Sequence, residues 1–199
     1  MEFFYSHGFH SSKDSISYKR ICEDLGIAPF ELIYDNGGDF MINMQILATQ
    51  LKTYKQDFAL NTPFGFIGNS LGAFYLWQLI LFAKQLDIPL PHSLVFFNPV
   101  FEPLAQLKKY IDKPQNISNT QSHFTLSKVH WQSYALALRT PMPQDIRTIV
   151  CLSMNDERID SSISQAYWQY YAQILYMEGG HIITDFKPLY THLHSFLRV

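Results

Sequence analysis

The sequence predicts an α/β fold in which a parallel sheet of about six strands is covered by helices on both faces. Short apolar segments alternate with longer segments of helical periodicity along most of the 199 residues. Such alternation is typical of right-handed strand–helix–strand units, whose strands run parallel. The strand segments are apolar throughout, as expected where helices bury both faces of a sheet.

The predicted elements follow one another in a regular order. The strand segments are Glu2–Tyr5, Glu31–Tyr34, Phe64–Ile67, Leu94–Phe97, Thr148–Ser153 and Gln173–Met177. The helical segments are Asp14–Asp24, Asp39–Phe58, Leu71–Leu86, Ser162–Ala172 and Phe186–Leu197. Turn residues separate them: Asp35-Asn36-Gly37-Gly38 precedes the second helix, and Asn98-Pro99 ends the fourth strand. We expect the strands to lie in the order 2-1-3-4-5-6, within one domain that spans residues 1–199.

Residues 99–147, called the insertion below, interrupt this alternation. The insertion contains five prolines and two weak helical patterns, at Leu104–Ile111 and Val129–Arg139. We interpret it as a small helical cap over the carboxyl ends of the strands, where substrates bind in such sheets. It holds six Lys or Arg against three Asp or Glu, a net charge of +3. This excess would suit an anionic substrate, although a solvated surface is the simpler interpretation.

The overall composition excludes several classes of protein. The net charge of −2 and pI of about 6.4 lack the basic excess expected of a nucleic-acid-binding protein. Cys22 and Cys151 are too isolated to indicate a disulfide framework. The sequence shows neither a signal peptide nor an apolar segment long enough to span a membrane. We therefore expect a reduced, cytoplasmic protein, and the sequence leaves its oligomeric state open.

The segment Gly68-Asn69-Ser70-Leu71-Gly72 joins a predicted strand to a predicted helix. This pattern and context are typical of a nucleophile elbow, a sharp turn that holds a strained serine with its Oγ exposed. Side chains in place of Gly68 or Gly72 would obstruct the close approach of helix and strand. The pattern predicts that Ser70 is a nucleophile; the alternative is an inert serine in a tight turn.

Two residues further along the chain could activate this serine. A serine hydroxyl needs a base to take its proton and an acid to orient that base. Asp156 follows the fifth strand and His181 follows the sixth, so both should lie at the same edge of the sheet as Ser70. This order of serine, aspartate and histidine is that of the α/β-hydrolase fold. Glu157 and Asp160 are alternative candidates for the acid. The other interpretation of these two residues is that they are solvated charges or the N-cap of the following helix.

An oxyanion hole for this chemistry requires two N–H donors. Leu71 directly follows the nucleophile at the start of a helix, and its backbone N–H is the first candidate. The second is the N–H of Phe9 in the loop after the first strand, where Gly8 allows the backbone to turn. We expect His7 to hold this loop in shape rather than to transfer protons.

Candidate substrate contacts are less specific. Four aromatic residues could line an acyl pocket or simply pack the insertion onto the body of the protein: Phe97, Phe101, Phe124 and Trp131. The patterns His7-x-x-His10 and His192-x-His194 lack further ligands, so we predict no metal site and no cofactor.

Together, these segments resemble the small bacterial α/β-hydrolases of the YqiA/YcfP type, a largely uncharacterised family. The similarity is carried, in order, by Tyr5–Ser12, Gly68–Gly72, Phe96–Pro99, Asn155–Asp160 and Glu178–His181. It implies a minimal α/β-hydrolase fold, esterase-like or thioesterase-like activity and a triad of Ser70, Asp156 and His181.

We therefore predict a serine hydrolase that cleaves a small-molecule carboxylic ester or thioester through an acyl-enzyme. Two alternatives remain. One is a non-catalytic scaffold that binds a ligand or protein, and the other is an acyltransferase on the same triad.

Overall fold

A computed structural model describes residues 1–12, 14–57 and 62–197. Its strands are β1 (Glu2–Ser6), β2 (Phe30–Glu31), β3 (Phe64–Asn69), β4 (Ser93–Phe97), β5 (Pro114–Asn116), β6 (His123–Thr125), β7 (Arg147–Ser153) and β8 (Gln173–Met177). Six of them form a parallel sheet in the order β2-β1-β3-β4-β7-β8. The predicted order of the six parallel strands is therefore confirmed.

The helices largely follow the predicted segments. They are α1 (Ile16–Leu25), α2 (Phe40–Asp57), α3 (Leu71–Leu81), α4 (Ala83–Leu86), α5 (Pro103–Gln106), α6 (Lys128–Ser133), α7 (Ser161–Trp168) and α8 (Tyr190–Leu197). The predicted helix Leu71–Leu86 is divided at Phe82, where one residue separates α3 from α4. The predicted end of the second helix, Phe58, lies outside the described residues. No helix in the described ranges is long and apolar enough to cross a membrane.

The second strand is shorter than predicted. After β2, only the Leu32 N–H still bonds to the sheet, at the carbonyl of Tyr5. The backbone of Ile33 is bonded instead to the side-chain amide of Gln50 in α2. The Ile33 N–H donates to Oε1 of Gln50 at 2.8 Å, and Nε2 of Gln50 donates to the carbonyl of Ile33 at 2.7 Å. Because α2 supplies this partner, both backbone polar groups of Ile33 stay paired where the chain leaves the sheet.

Alternating side chains of the strands supply two apolar clusters, one on each face of the sheet. In β1, Phe4 belongs to the cluster that includes most of the buried side chains of α2 and α3. Its neighbours Phe3 and Tyr5 belong to the opposite cluster, with side chains of α1 and α8. Helix α3 is buried from Leu71 to Ile80. This packing fixes the position of the helix that begins directly after Ser70.

The insertion contains more than the predicted helices. Between α5 and α6, strands β5 and β6 form an antiparallel hairpin that the sequence analysis did not predict. The hairpin loop contacts the loop after β1, because the Ser118 N–H donates to the carbonyl of His10 at 2.8 Å. On the other side of the insertion, the Tyr134 hydroxyl is bonded to that of Tyr75 in α3 at 2.8 Å. The insertion is thus anchored beside a carboxyl-end loop of the sheet.

Candidate active site

Ser70 occupies the sharp turn between β3 and α3, with φ +54° and ψ −118°. A residue with a side chain rarely adopts this backbone, at a cost of order 1–3 kcal/mol. Two backbone hydrogen bonds hold Ser70 in this conformation. The Ser70 N–H donates to the carbonyl of Phe97 at 2.8 Å, and the Ser70 carbonyl accepts from the Val100 N–H at 3.1 Å. The turn therefore has the strained geometry that a nucleophile elbow requires.

The glycines around this turn permit close backbone contacts. A Cβ on Gly72 would overlap the carbonyl oxygens of Ser6 and His7, and a Cβ on Gly68 would lie 2.5 Å from the Cα of Ala73. These neighbours are backbone atoms that cannot rotate away. Larger residues at either position would push α3 away from the sheet.

The structure brings Ser70, His181 and Asp156 together from three separate loops. The Oγ of Ser70 lies 3.0 Å from Nε2 of His181, and Nδ1 of His181 lies 2.8 Å from Oδ2 of Asp156. An ionised carboxylate only accepts hydrogen bonds, so Nδ1 carries the proton and Nε2 is free to accept from the serine hydroxyl. The three side chains thus have the polarity needed to remove the serine proton.

Asp156 is held in an anionic form by its donors. Its Oδ1 accepts from the N–H groups of Arg158 and Ile159, both at 2.9 Å, while Oδ2 accepts from His181. Burial alone would raise the pKa of Asp156, but these hydrogen bonds and the attraction to His181 outweigh it and lower the pKa. The carboxylate is therefore charged at neutral pH.

The two competing acids have other roles. Glu157 is not simply a solvated charge, because its Oε2 accepts from the backbone N–H of His181 at 2.9 Å. This bond is the main cause that lowers the pKa of Glu157. Asp160 caps α7, where its Oδ1 accepts from the N–H of Ser162 at 2.9 Å. Glu157 thus contacts the histidine backbone, whereas Asp156 contacts the ring.

Asn98 is a further site residue that the sequence analysis did not identify. It is buried, and its φ is +43°. Its Nδ2 donates to the carbonyl of His181 at 3.0 Å and to Oγ of Ser153 at 2.9 Å, while its Oδ1 accepts from the Ser153 N–H at 2.7 Å. Asn98 therefore ties the ends of β4 and β7 to the loop that carries His181. The only sequence signal was an asparagine before proline at a strand end, where a left-handed backbone is tolerated.

The loop after β1 passes directly beside Ser70. A Cβ on Gly8 would lie 3.1 Å from the Cβ of Ser70, and Phe9 lines the same cavity as Ser70 and His181. Leu71 is the first residue of α3, so its N–H has no acceptor within the helix. Both predicted oxyanion donors therefore lie in backbone segments next to the serine.

His7 stabilises the loop after β1 through contacts with Tyr34 and Gly8. Its ring stacks on Tyr34 with centroids 4.6 Å apart, and its Nδ1–H donates to the carbonyl of Gly8 at 2.9 Å. The Tyr34 hydroxyl donates to the carbonyl of His7 at 3.0 Å. Burial lowers the pKa of His7 to about 4, so the ring is neutral at physiological pH.

Because the unfolded chain binds a proton at His7 that the folded protein excludes, acid should destabilise the fold. Above about pH 6.5, His7 is neutral in both states and this effect is absent. As the pH falls towards 4, the effect should lower the free energy of unfolding by about 3 kcal/mol. Urea unfolding at pH 7 and pH 4.5 measures it, with His7→Asn as the comparison. We expect the variant to lose less stability between these pH values than the wild type. An equal loss in both proteins would contradict this role of His7.

Two of the four predicted substrate contacts pack against aromatic side chains of the core. Phe97 is fully buried and contacts Phe186 on the face of the sheet covered by α1 and α8. Phe101 stacks on Trp77 of α3, with centroids 5.3 Å apart. Neither residue lines the two cavities that contain Ser70.

The other two pack the insertion onto its surroundings. The Nε1–H of Trp131 donates to the carbonyl of Leu104 at 3.0 Å, and Trp131 packs against the main core. Phe124 contacts Phe9 edge-to-face with centroids 5.1 Å apart, which places it behind the cavity wall. Neither residue lines the two cavities that contain Ser70.

Residues 2–198 match the uncharacterised protein family UPF0227. The chain belongs to this family. The match confirms the predicted resemblance to YqiA-like hydrolases. Comparison of this UPF0227 protein with curated proteins found no match.

Solved structures show that the UPF0227 chain has an α/β-hydrolase fold. It is similar to Est1E from Butyrivibrio proteoclasticus, with a TM-score of 0.67, 12% identity and coverage of 98% of this chain and 86% of Est1E. It is also similar to the thioesterase RedJ, from the prodiginine pathway of Streptomyces coelicolor. The TM-score is 0.62 and the identity 14%, over 98% of this chain and 89% of RedJ. A third similar structure is metagenome-derived and described with the lipolytic enzymes LipS and LipT. Its TM-score is 0.65 and its identity 12%, over 99% of this chain and 93% of that protein. The fold of this UPF0227 protein thus resembles that of esterases and thioesterases.

Proposed function

We propose that this protein is a serine hydrolase that cleaves a small carboxylic ester or thioester. The observation that carries the proposal is the continuous hydrogen-bonded arrangement of Ser70, His181 and Asp156 at a strained elbow. The fold supports it, because esterases and a thioesterase share the same architecture. Est1E has also been solved with ferulic acid bound, which is consistent with a small acyl substrate.

In the first half of the proposed reaction, Ser70 becomes acylated. His181 Nε2 takes the hydroxyl proton as Oγ attacks the carbonyl carbon, and Asp156 stabilises the resulting imidazolium. The N–H groups of Phe9 and Leu71 donate to the oxygen that becomes negative. His181 then gives its proton to the departing alcohol or thiol as the carbon–oxygen or carbon–sulfur bond breaks.

In the second half, water releases the acyl group. His181 removes a proton from water, which attacks the acyl-enzyme, and then returns the proton to Oγ of Ser70. The acid leaves and the enzyme is regenerated. The proposed steps use only groups of the chain and water, without a cofactor.

Labelling with a fluorophosphonate tests whether Ser70 is activated. We expect the probe to modify Ser70, identified by mass spectrometry of the labelled peptide, and labelling to be lost in His181→Ala. A folded wild-type protein that remains unlabelled would contradict the proposal and favour the non-catalytic scaffold. Product analysis with an added alcohol or thiol separates hydrolysis from acyl transfer, because only a transferase would yield mainly the new ester or thioester.

A further inference from the structure

A larger cleft adjoins the cavity at the elbow. Two cavities contain Ser70 and His181, with volumes of about 30 Å³ and 210 Å³. The neighbouring cleft has a volume of about 540 Å³. Four residues line both this cleft and the smaller cavity: His10, Lys109, Tyr110 and Arg158. A substrate that extends from Ser70 through the smaller cavity would pass these four side chains and enter the cleft.

The lining of this cleft is positively charged. Besides Lys109 and Arg158, it presents neutral polar side chains that include Gln115, Asn116 and Ser118. Among the described residues that line the cleft and the cavity at Ser70, none is Asp or Glu. The whole chain carries a net charge of −2. The positive charge is thus a local property of the cleft and not of the protein surface in general.

Both cations have donors available for a ligand. The Arg158 guanidinium forms an ion pair with Glu157 through Nε at 3.3 Å, which uses one of its five N–H groups. The Lys109 ammonium lies 5.1 Å from the ring centre of Tyr110, and no described carboxylate forms an ion pair with it. Burial is the main cause that lowers the pKa of His10, and the nearby charges of Arg158 and Lys109 lower it further.

We propose that Lys109 and Arg158 select substrates that carry an anionic group, such as a carboxylate or phosphate, beyond the scissile ester. This inference rests on the proposed hydrolase function. The ammonium and guanidinium groups would bind the anion through charge-assisted hydrogen bonds, supported by the neutral donors of the hairpin. A simple solvated surface does not explain why both cations line the same cavity as the nucleophile.

Matched pairs of esters test the proposal and locate the charge. 4-Acetoxybenzoate and its methyl ester differ by a charge on the leaving group. The mono-p-nitrophenyl ester of glutaric acid and p-nitrophenyl pentanoate differ by a charge on the acyl group. For each pair, the quantity measured is the ratio of kcat/KM for the anionic ester to that for the neutral ester. Comparison of ratios between variants removes the intrinsic reactivity of each ester.

We expect the ratio of at least one pair to fall about tenfold in the double variant Lys109→Gln with Arg158→Gln. Arg158→Lys, which keeps the charge, should retain most of the preference. Lys108→Gln is the matched control, since Lys108 is an exposed lysine in the same turn that lines neither cavity, and its ratios should not change. A fall in the first pair places the anion on the leaving group, and a fall in the second places it on the acyl group.

Unchanged ratios in both pairs, with hydrolysis still dependent on Ser70, would overturn the inference and leave the hydrolase function intact. A second measurement does not depend on turnover. In Ser70→Ala, NMR titration of both pairs should show tighter binding of the anionic ester than of its neutral counterpart in at least one pair, and added salt should reduce the difference. Equal binding of the two esters within both pairs would overturn the inference. Preferential binding of the anion without hydrolysis of any ester would support the anionic cleft while contradicting the proposed function.

Discussion

Ser70→Ala should lower kcat/KM for a reactive ester such as p-nitrophenyl acetate by at least about 10⁴-fold. The reason is that the substitution removes the attacking Oγ and with it the acyl-enzyme pathway. Alanine keeps the Cβ, so the cost of the backbone at φ +54° stays almost the same. We therefore expect thermal unfolding of the variant to resemble that of the wild type, which assigns the loss to chemistry and not to folding.

Ser122→Ala is a suitable control, because Ser122 is exposed in the loop of the hairpin. Its rate should equal that of the wild type. If Ser70→Ala retained wild-type turnover in pure protein, another nucleophile would carry the reaction and the proposed mechanism would be wrong.

Local sequence patterns were sufficient for the sheet and the elbow. Apolar segments, turn residues and the flanking glycines of Ser70 depend mainly on neighbours in the chain, and the resulting strand order is confirmed. The hairpin was missed because Pro114–Asn116 and His123–Thr125 are short, mostly exposed strands without an apolar alternation. Its stability depends on contacts with other parts of the protein, such as the bond between Ser118 and His10.

The orientation of single side chains was harder to predict. In β4, Phe96 and Phe97 are adjacent and equally apolar, so the sequence does not indicate which of them faces which side of the sheet. The structure places them in opposite clusters, with the side chain of Phe97 on the face of the sheet opposite α3. The bonds that Asn98 and Glu157 form with the backbone of His181 were missed for a related reason. Their partner is the backbone of His181, 83 and 24 residues away, and such bonds leave no periodic signal.

Asp156→Asn should reduce kcat/KM by about 10³- to 10⁴-fold. The amide oxygen can still accept from the N–H groups of Arg158 and Ile159, so the local turn should persist. The amide NH₂ would then face Nδ1 of His181 and donate to it. This arrangement favours the tautomer with the proton on Nε2, which cannot accept the proton of Ser70. Steady-state hydrolysis, with circular dichroism to verify the fold, measures the effect.

The neighbouring acids provide the decisive comparison. Glu157→Gln keeps an oxygen that can accept from the His181 N–H, so we expect a loss of about tenfold or less. Asp160→Asn keeps an N-cap for α7 and should behave as the wild type. A loss in Glu157→Gln as large as that in Asp156→Asn would show that the charge, and not contact with the ring, governs the histidine. Only a large loss confined to Asp156→Asn identifies the carboxylate that holds His181 in its reactive tautomer.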